Sequence, residues 1–393
     1  MRFASMVERI EDPAGFEKLR DEWDELLEES ASNCLFLTWE WLHTWWRHLG
    51  EGRQLSLIAV RCEGRLIAVA PLTVRPRRVT GLVPFRVLEF LGTGSVGSDY
   101  LDLIIRRGRE REAIRALVEH LADGKLMLEL AQVNRHSCLA AGLATQLMLR
   151  GWRRSRATTD ICPFIRLSGH SWQSYLATLG AEHRYNFGRR LRNLTKRFDV
   201  RFERVAWEEQ RRTTLSALFA LHDVRWRERG GSTAFCTPGL RSFHEEVSRL
   251  ALQRGWLRLF VLRVDGKPAA ALYGFAYGRT FYFYQAGFDP CYTKQSVGLV
   301  TLGLAIQNAI EEGVDEFDLL HGDEQYKLHW AREARELERV ELYPPRVRGL
   351  LYEGAVELGR AARRLARRVL PNAIVKKIET GGPIDLWKWR TAA

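Results

Sequence analysis

The feature that most constrains this chain is a hairpin written twice. Residues 60–70 (VRCEGRLIAVA) and 262–272 (LRVDGKPAAAL) match in register. Each sets a basic residue, an acid-Gly pair and a second basic residue between two apolar runs. An acid-Gly pair suits a two-residue hairpin loop, whose central positions need φ > 0. Around both copies the order of elements is the same, helices before and strands after, which makes the pair an internal duplication. The expectation is an α+β chain of two similar domains, 1–167 and 168–345, followed by a basic helix and tail at 346–393. Each domain is expected to be a mostly antiparallel sheet flanked by helices.

Periodicity fills in the elements. Phe16, Leu19, Trp23, Leu26 and Leu27 recur at helical spacing, and a second helix, FLTWEWLHTWWRHLG, ends at Gly50. Its tryptophans are expected in the core. Two strands flank Glu63-Gly64, and RVLEFLG and YLDLII read as further strands. Helices near 109–122 and 136–149 enclose a strand at 125–131, and a strand near 160–167 closes the first half. The second half repeats the order: helices near 171–179, 182–197, 208–229 and 239–253, a short strand at 199–206, a meander over 257–289, a helix at 297–312, then EFDLL and LERVELY.

Composition is that of an ordinary globular protein, 46% hydrophobic and 27% charged. No apolar run approaches the ~18–20 residues of a membrane span, and MRFASMVERIEDPAG lacks a signal-peptide core. Six scattered cysteines without a C-x-x-C pair argue for reduced thiols, a cytoplasmic setting and no zinc site. A net charge of +12 invites polyanions. The tail concentrates it: Arg360, Arg363, Arg364, Arg367 and Arg368 stand beside Leu350, Leu351, Val356, Leu358, Leu365, Val369 and Leu370. That pattern is either a helix docked on the body or one lying on anionic lipid at the inner face of a membrane.

Three stretches carry candidate chemistry. Gln295, Ser296, Val297, Gly298, Leu299 and Val300 read Q-x-x-G-x between a strand and a helix. Gly298 removes a side chain so that backbone amides can approach phosphate oxygens, the helix N-terminus adds unpaired N–H groups, and Ser296 is a natural cap. HRYNFGRRLRNLTKRF (183–198) crowds Arg184, Arg189, Arg190, Arg192, Lys196 and Arg197 onto one helix, an anion cradle or a solvated basic face. FDLLHGDEQYKLHW (317–330) ends an apolar strand in a cluster of ionisable groups. A G-x-S-x-G elbow in a strand–helix context is not found. GTGSVG (92–97) has no Walker lysine after it and reads as a loop between strands.

The Q-x-x-G loop between meander strand and helix resembles that of the GNAT acyltransferases, with Val300 where their pattern has Gly or Ala. The segment Gly322-Asp-Glu-x-Tyr-Lys-x-x-Trp330, with NCLFLTWEWLHTWW and the Arg-rich helix, resembles the tandem-domain group of that superfamily, the FemAB-like aminoacyltransferases and CelD-like acyltransferases. The resemblance covers most of the chain. It implies an N-acyltransferase taking an acyl group from acyl-CoA to a small-molecule or sugar-linked amine in exopolysaccharide or cell-envelope synthesis, without a metal. The loop 295–300 would hold the coenzyme. Arg184, Asn186, Arg189, Arg190 and Gln285 would bind substrate. An attacking amine must lose a proton, and Asp323 or Glu324 beside apolar walls is the expected base. Tyr326 would protonate the leaving thiolate or orient a substrate, and Lys327 would stabilise an oxyanion or a phosphate; the other reading has Asp323 and Glu324 cap the following helical turn while Lys327 pairs with one of them. His321 and His329 are read as structural. The alternatives are an aminoacyl-tRNA-dependent aminoacyltransferase and a non-catalytic envelope-assembly protein using the basic tail.

Overall fold

In the computed structural model, the residues described are 5–79, 83–122, 124–227 and 234–345, with 347, 349–354, 356–358 and 361 beyond them. The arginines of the expected basic tail lie outside the described residues.

The first half contributes strands β1 (Met6–Ile10), β2 (Gln54–Leu55), β3 (Leu57–Cys62), β4 (Arg65–Ala70), β5 (Leu72–Val79), β6 (Val83–Phe90), β7 (Ile104–Ile105), β8 (Met127–Asn134) and β9 (Arg153–Arg166). Its helices are α1 (Pro13–Lys18), α2 (Arg20–Glu28), α3 (Trp39–Leu49), α4 (Glu110–Ala122) and α5 (Cys138–Leu149). The second half contributes β10 (Val200–Arg204), β11 (Leu257–Val264), β12 (Lys267–Tyr277), β13 (Thr280–Phe288), β14 (Glu316–Asp318) and β15 (Glu333–Tyr343). Its helices are α6 (Trp172–Thr178), α7 (Ala181–Arg197), α8 (Glu208–Arg227), α9 (Pro238–Gln253), α10 (Val297–Glu311) and α11 (Gln325–Leu328).

The duplicated hairpin is duplicated in three dimensions. Glu63 and Gly64 have φ of 51° and 79°, Asp265 and Gly266 φ of 50° and 76°, so both loops place positive φ at both central residues, as a type I′ turn requires. Each second strand carries one extra residue at the same place. The register slips between Val60 and Arg61 in one copy and between Leu262 and Arg263 in the other. Arg61 reaches Glu8 on β1, and Arg263 reaches Glu203 on β10.

The two halves share a sheet. Among the described residues, eleven strands run in the order β10-β11-β12-β13-β14-β9-β15-β8-β6-β5-β2, with β1-β3-β4-β7 as a second sheet. The last strand of the first half, β9, therefore lies between β14 and β15 of the second, and β15 also pairs with β8. Helices α3 and α9 join the halves on one side, where Arg47 and His48 both meet Glu246 at 2.6 Å. Trp41 and Trp45 are buried as expected, and Trp41 packs edge-on against Phe243 and Phe275.

Two expectations change. The single first helix is two, α1 and α2, breaking at Leu19. YLDLII is a strand only at β7; Tyr100 sits in the left-handed region, φ 58°, and turns residues 100–103 into a loop. Both changes follow from local backbone geometry that apolar alternation does not report.

Candidate functional site

The parallel pair β13–β14 is held by three residue pairs only, Thr280–Glu316 to Tyr282–Asp318. Beyond them the strands part. Residues after β14 stay with β9, through Leu319 N to Pro163 O and Gly322 N to Ile161 O. β13 instead carries a bulge at Tyr284, since Tyr273 faces Gln285 while Gly274 faces Phe283. A bulge bends and twists the strand that bears it, and the result is a wedge between β13 and the chain that follows β14.

One wall of the wedge opens on a cavity of about 200 Å³ lined by Phe283, Phe288, Gly298, Leu299, Tyr326 and Trp330, with Arg225 at its side. Two elements that the sequence singled out separately thus meet. The approach to α10 is a 3₁₀ turn, Pro290–Gln295, ending at Ser296 with φ 57° and ψ 43°. Right-handed then left-handed residues turn successive N–H groups inward as an anion-binding nest. Val300 N to Ser296 O is the first α-helical bond, so the N–H groups of Val297, Gly298 and Leu299 are the orphan donors of the helix start. Ser296 makes no side-chain cap, so its expected capping role is replaced by this backbone turn. A Cβ on Gly298 would lie 3.3 Å from Phe288 Cδ1. Val297 and Val300 point the other way, into an apolar cluster with Leu194, Leu262 and Ala270, which is why a valine is accommodated there.

Helix α7 lies on α10, with Phe187 over Gly303, where any Cβ would overlap the ring. Of its basic residues, Arg190 reaches the nest, donating from Nη1 to Lys294 O at 2.5 Å. Its Nε and Gln295 Oε1 are buried without partners, two polar atoms at the nest suited to a ligand. Arg184 instead donates to Leu176 O and Ala177 O at the end of α6. Arg189 donates to Asn186 Oδ1 at 3.1 Å on the exposed face. Gln285 is half-buried on β13 and does not line the cavity.

The predicted catalytic set divides. Tyr326 lines the cavity, and burial holds its hydroxyl protonated far above the ordinary tyrosine range. Asp323 and Glu324 are exposed, and Glu324 pairs with Lys327 at 3.0 Å; apolar walls that would make either a base are lacking. Lys327 is buried, and Nζ donates to His321 O at 2.6 Å and Leu320 O at 3.3 Å besides Glu324. Its three N–H groups are thus committed to fixing the loop, leaving none for an oxyanion.

The carboxylates that burial does affect lie on the seam between the halves. Asp318 is pushed up to about 7 by burial, against a hydrogen bond from Tyr100 Oη at 2.6 Å and the Arg335 guanidinium. Asp102 is pushed up to about 6 by burial, against the hydroxyl of Ser137 and the Leu103 amide. Both line a cavity of about 690 Å³ with Asn33, Tyr100, Glu316 and Arg335. Sequence reasoning missed this seam because its residues are far apart in the chain. The signal present was YLDLII itself, which carries Asp102 and a tyrosine where a plain strand needs neither.

The site is thus a strand wedge beside an anion nest at a helix start, with a protonated tyrosine between them. Residues 181–328 match the family model described as an acetyltransferase (GNAT) domain. This segment holds the nest, Tyr326 and the cavity lining apart from Trp330, and the enzyme class it points to is acyltransferase. Over most of its length the chain shares its fold with solved structures. FemX superimposes with a TM-score of 0.59 at 11% identity, over 85% of this chain and 96% of that one. A conserved protein of unknown function from Bacteroides thetaiotaomicron VPI-5482 gives 0.54 at 15% identity, over 86% and 99%. The C-terminal domain of a putative lysylphosphatidylglycerol synthetase from Agrobacterium fabrum gives 0.52 at 10% identity, over 89% and 96%. At such identities the likeness is one of fold. No curated protein matches the sequence. Among the described residues no group of three His, Cys, Asp or Glu side chains is placed to hold a metal, and no helix is long and apolar enough to cross a membrane.

Proposed function

We propose that this protein transfers an acyl group from acyl-CoA to an amine, as a cytoplasmic enzyme of exopolysaccharide or cell-envelope synthesis. The observation that carries the reading is the cavity in which Gly298 and Leu299, at the nest, face Tyr326. Bound acyl-CoA supplies the thioester. The N–H groups of Val297, Gly298 and Leu299, with Arg190 and Gln295, would hold its phosphates, and Phe283, Phe288 and Trp330 would enclose the chain that leads to sulfur. Tyr326, kept protonated by burial, would donate its proton to the departing thiolate. The acceptor would sit in the seam cavity, where Asp102, Glu316 and Asp318 favour a ligand rich in N–H and O–H donors, such as an amino sugar. Titration calorimetry with acetyl-CoA tests the reading: binding in the micromolar range is expected, and its absence in the full chain overturns it. Mass spectrometry of ligands that co-purify would name the acyl chain.

One observation favours a second donor. Arg184, Arg189, Arg192, Lys196 and Arg197 are all exposed on α7, a basic stripe suited to a polyanion such as aminoacyl-tRNA. That reading predicts tRNA binding that weakens steeply with salt and is lost when these five are changed to glutamine, while acetyl-CoA binding persists.

A further inference from the structure

The glycine-rich loop 92–99 of the first half crosses the mouth of the wedge in the second. Tyr284, the bulged residue of β13, donates its hydroxyl to Val96 O. On the other side, Gly97 lies against the His321 ring; a Cβ there would be 3.0 Å from Cε1. Ser98 accepts from Trp41 Nε1 at 2.8 Å, and Tyr100 ties the loop's end to Asp318. The loop thus bridges the two diverging arms of the wedge, and it places Asp99 beneath His321.

Asp99 is fully buried. It accepts from His321 Nδ1 at 2.9 Å and from the His321 backbone N at 2.9 Å. An ionised carboxylate only accepts, so Nδ1 carries the hydrogen and Nε2 presents its lone pair. Among the described residues Nε2 has no partner, and the side chain is 40% exposed. The backbone under it is constrained: Leu320 has φ 56° and Gly322 φ 123°. Left-handed geometry at a leucine costs about 1–2 kcal/mol, and it persists because Lys327 clamps the Leu320 and His321 carbonyls. Strain of this kind, held by neighbours, is typical of a functional position.

We infer that His321 is the general base of the transfer reaction, with Asp99 of the other half as its positioning residue. The inference rests on the acyl-CoA reading above. In the step, the amine nitrogen bonds to the thioester carbonyl carbon and its proton passes to His321 Nε2. The C–S bond then breaks, the sulfur keeps the electron pair and takes the Tyr326 proton, and solvent restores both side chains. Asp99 fixes the tautomer and offsets the imidazolium charge as it forms, the arrangement of an Asp-His pair. The duplication thereby acquires a function: one half carries the base and the other orients it.

The groups facing the imidazole are Asp99 on the loop, Asp160 on β9 and Lys327 on α11; the hydrogen bond to Asp99 leads in raising the histidine above its ordinary value. The test uses the full chain as wild type, His321→Asn and Asp99→Asn. Asparagine at 321 keeps a donor for Asp99 while removing the base. With acetyl-CoA and glucosamine as probes, thiol release in His321→Asn falls roughly 10²–10³-fold and loses its rising pH limb, while acetyl-CoA binding stays within about two-fold. Asp99→Asn keeps the limb but moves it to lower pH, because the imidazolium loses its counter-charge. Independently of any acceptor, carbethoxylation of His321 by diethyl pyrocarbonate, read by peptide mass spectrometry, slows several-fold at saturating acetyl-CoA. Unchanged labelling, or a variant at position 321 with wild-type rate and pH limb, overturns the assignment. Failure of the wild type to bind acetyl-CoA overturns the acyl-CoA reading instead.

Discussion

Asp318 stands at the end of β14 with almost no solvent access, and its carboxyl is pushed up to about 7 because burial disfavours the charge more than Tyr100 and Arg335 favour it. The sign of the consequence follows from linkage. The folded value lies above the unfolded one, so the folded state binds the extra proton. Stability from this group is full at low pH and declines as pH rises from about 4 through about 7. His321, also raised, acts in the same direction: its pairing with Asp99 stabilises below the ordinary histidine value and fades as pH rises through the folded one. Removing the charge removes the larger decline. Asp318→Asn, which can still accept from Tyr100, is expected to raise the midpoint of thermal unfolding at pH 8 and change it little at pH 5. The full shift corresponds to roughly 4 kcal/mol. A midpoint that is equal or lower at pH 8 would show that the ionised form is the stabilised one. By contrast Asp323 is exposed, and Asp323→Ala should leave stability within about 0.5 kcal/mol and turnover within about three-fold. Sequence placed Tyr326 and Gly298 in the site because each lies in a local pattern. Which carboxylates are buried was not legible, because the burial of Asp318 and Asp102 comes from residues such as Tyr100 that no spacing connects to them.

On the proposed reading, the element that would decide ligand binding is the α7–α10 pair. Gly303 lets Phe187 lie against the α10 backbone, and that contact sets where Arg190 meets the nest. Gly303→Ala forces the ring aside, a crowding that costs about 1–3 kcal/mol, and displaces Arg190, so acetyl-CoA affinity falls together with stability. Gly298→Ala separates the two effects. Its Cβ would press on the Phe288 ring at 3.3 Å, a tight contact that a shift of a few tenths of an ångström in the ring relieves, so stability should change by no more than about 1 kcal/mol. The methyl group nevertheless stands where phosphate must approach, and affinity should fall about ten-fold, roughly 1.4 kcal/mol. Calorimetry and thermal unfolding on the two variants distinguish them: equal loss of stability in both would mean that Gly298 serves packing alone. Most elements were legible from periodicity, α7 to α10 and the meander among them, since apolar spacing reports which face is buried. The bulge at Tyr284 and the turn at Tyr100 were not. Each is a one-residue departure that leaves the apolar pattern almost unchanged, yet the first opens the wedge and the second carries the loop across it.

At the scale of the whole molecule the duplication predicted two domains, and the sheet makes them interdependent. β9, at the end of the first half, has β14 on one edge and β15 on the other. Residues 1–167 expressed alone would leave both edges of a fourteen-residue strand open, and residues 168–345 alone would leave β15 with no strand on either side. Open edges of that length recruit other chains. The seam also holds Tyr100 to Asp318, Asp99 to His321 and Arg135 to Glu336, so separation would strand buried carboxylates without partners, each costing several kcal/mol. The two segments are therefore expected to be aggregated or unfolded when produced singly, and to give a folded, acetyl-CoA-binding complex when co-produced. The intact chain should unfold in urea in one transition, with tryptophan fluorescence, whose reporters lie in both halves, coinciding with far-ultraviolet circular dichroism. Two separated transitions, or a soluble first segment with dispersed amide resonances, would mean that each repeat closes its own sheet and that β15 is an accessory strand. Because the base and its orienting carboxylate come from opposite halves, the same experiment bears on catalysis: a molecule whose halves fold as one can hold a 2.9 Å contact across them without a hinge.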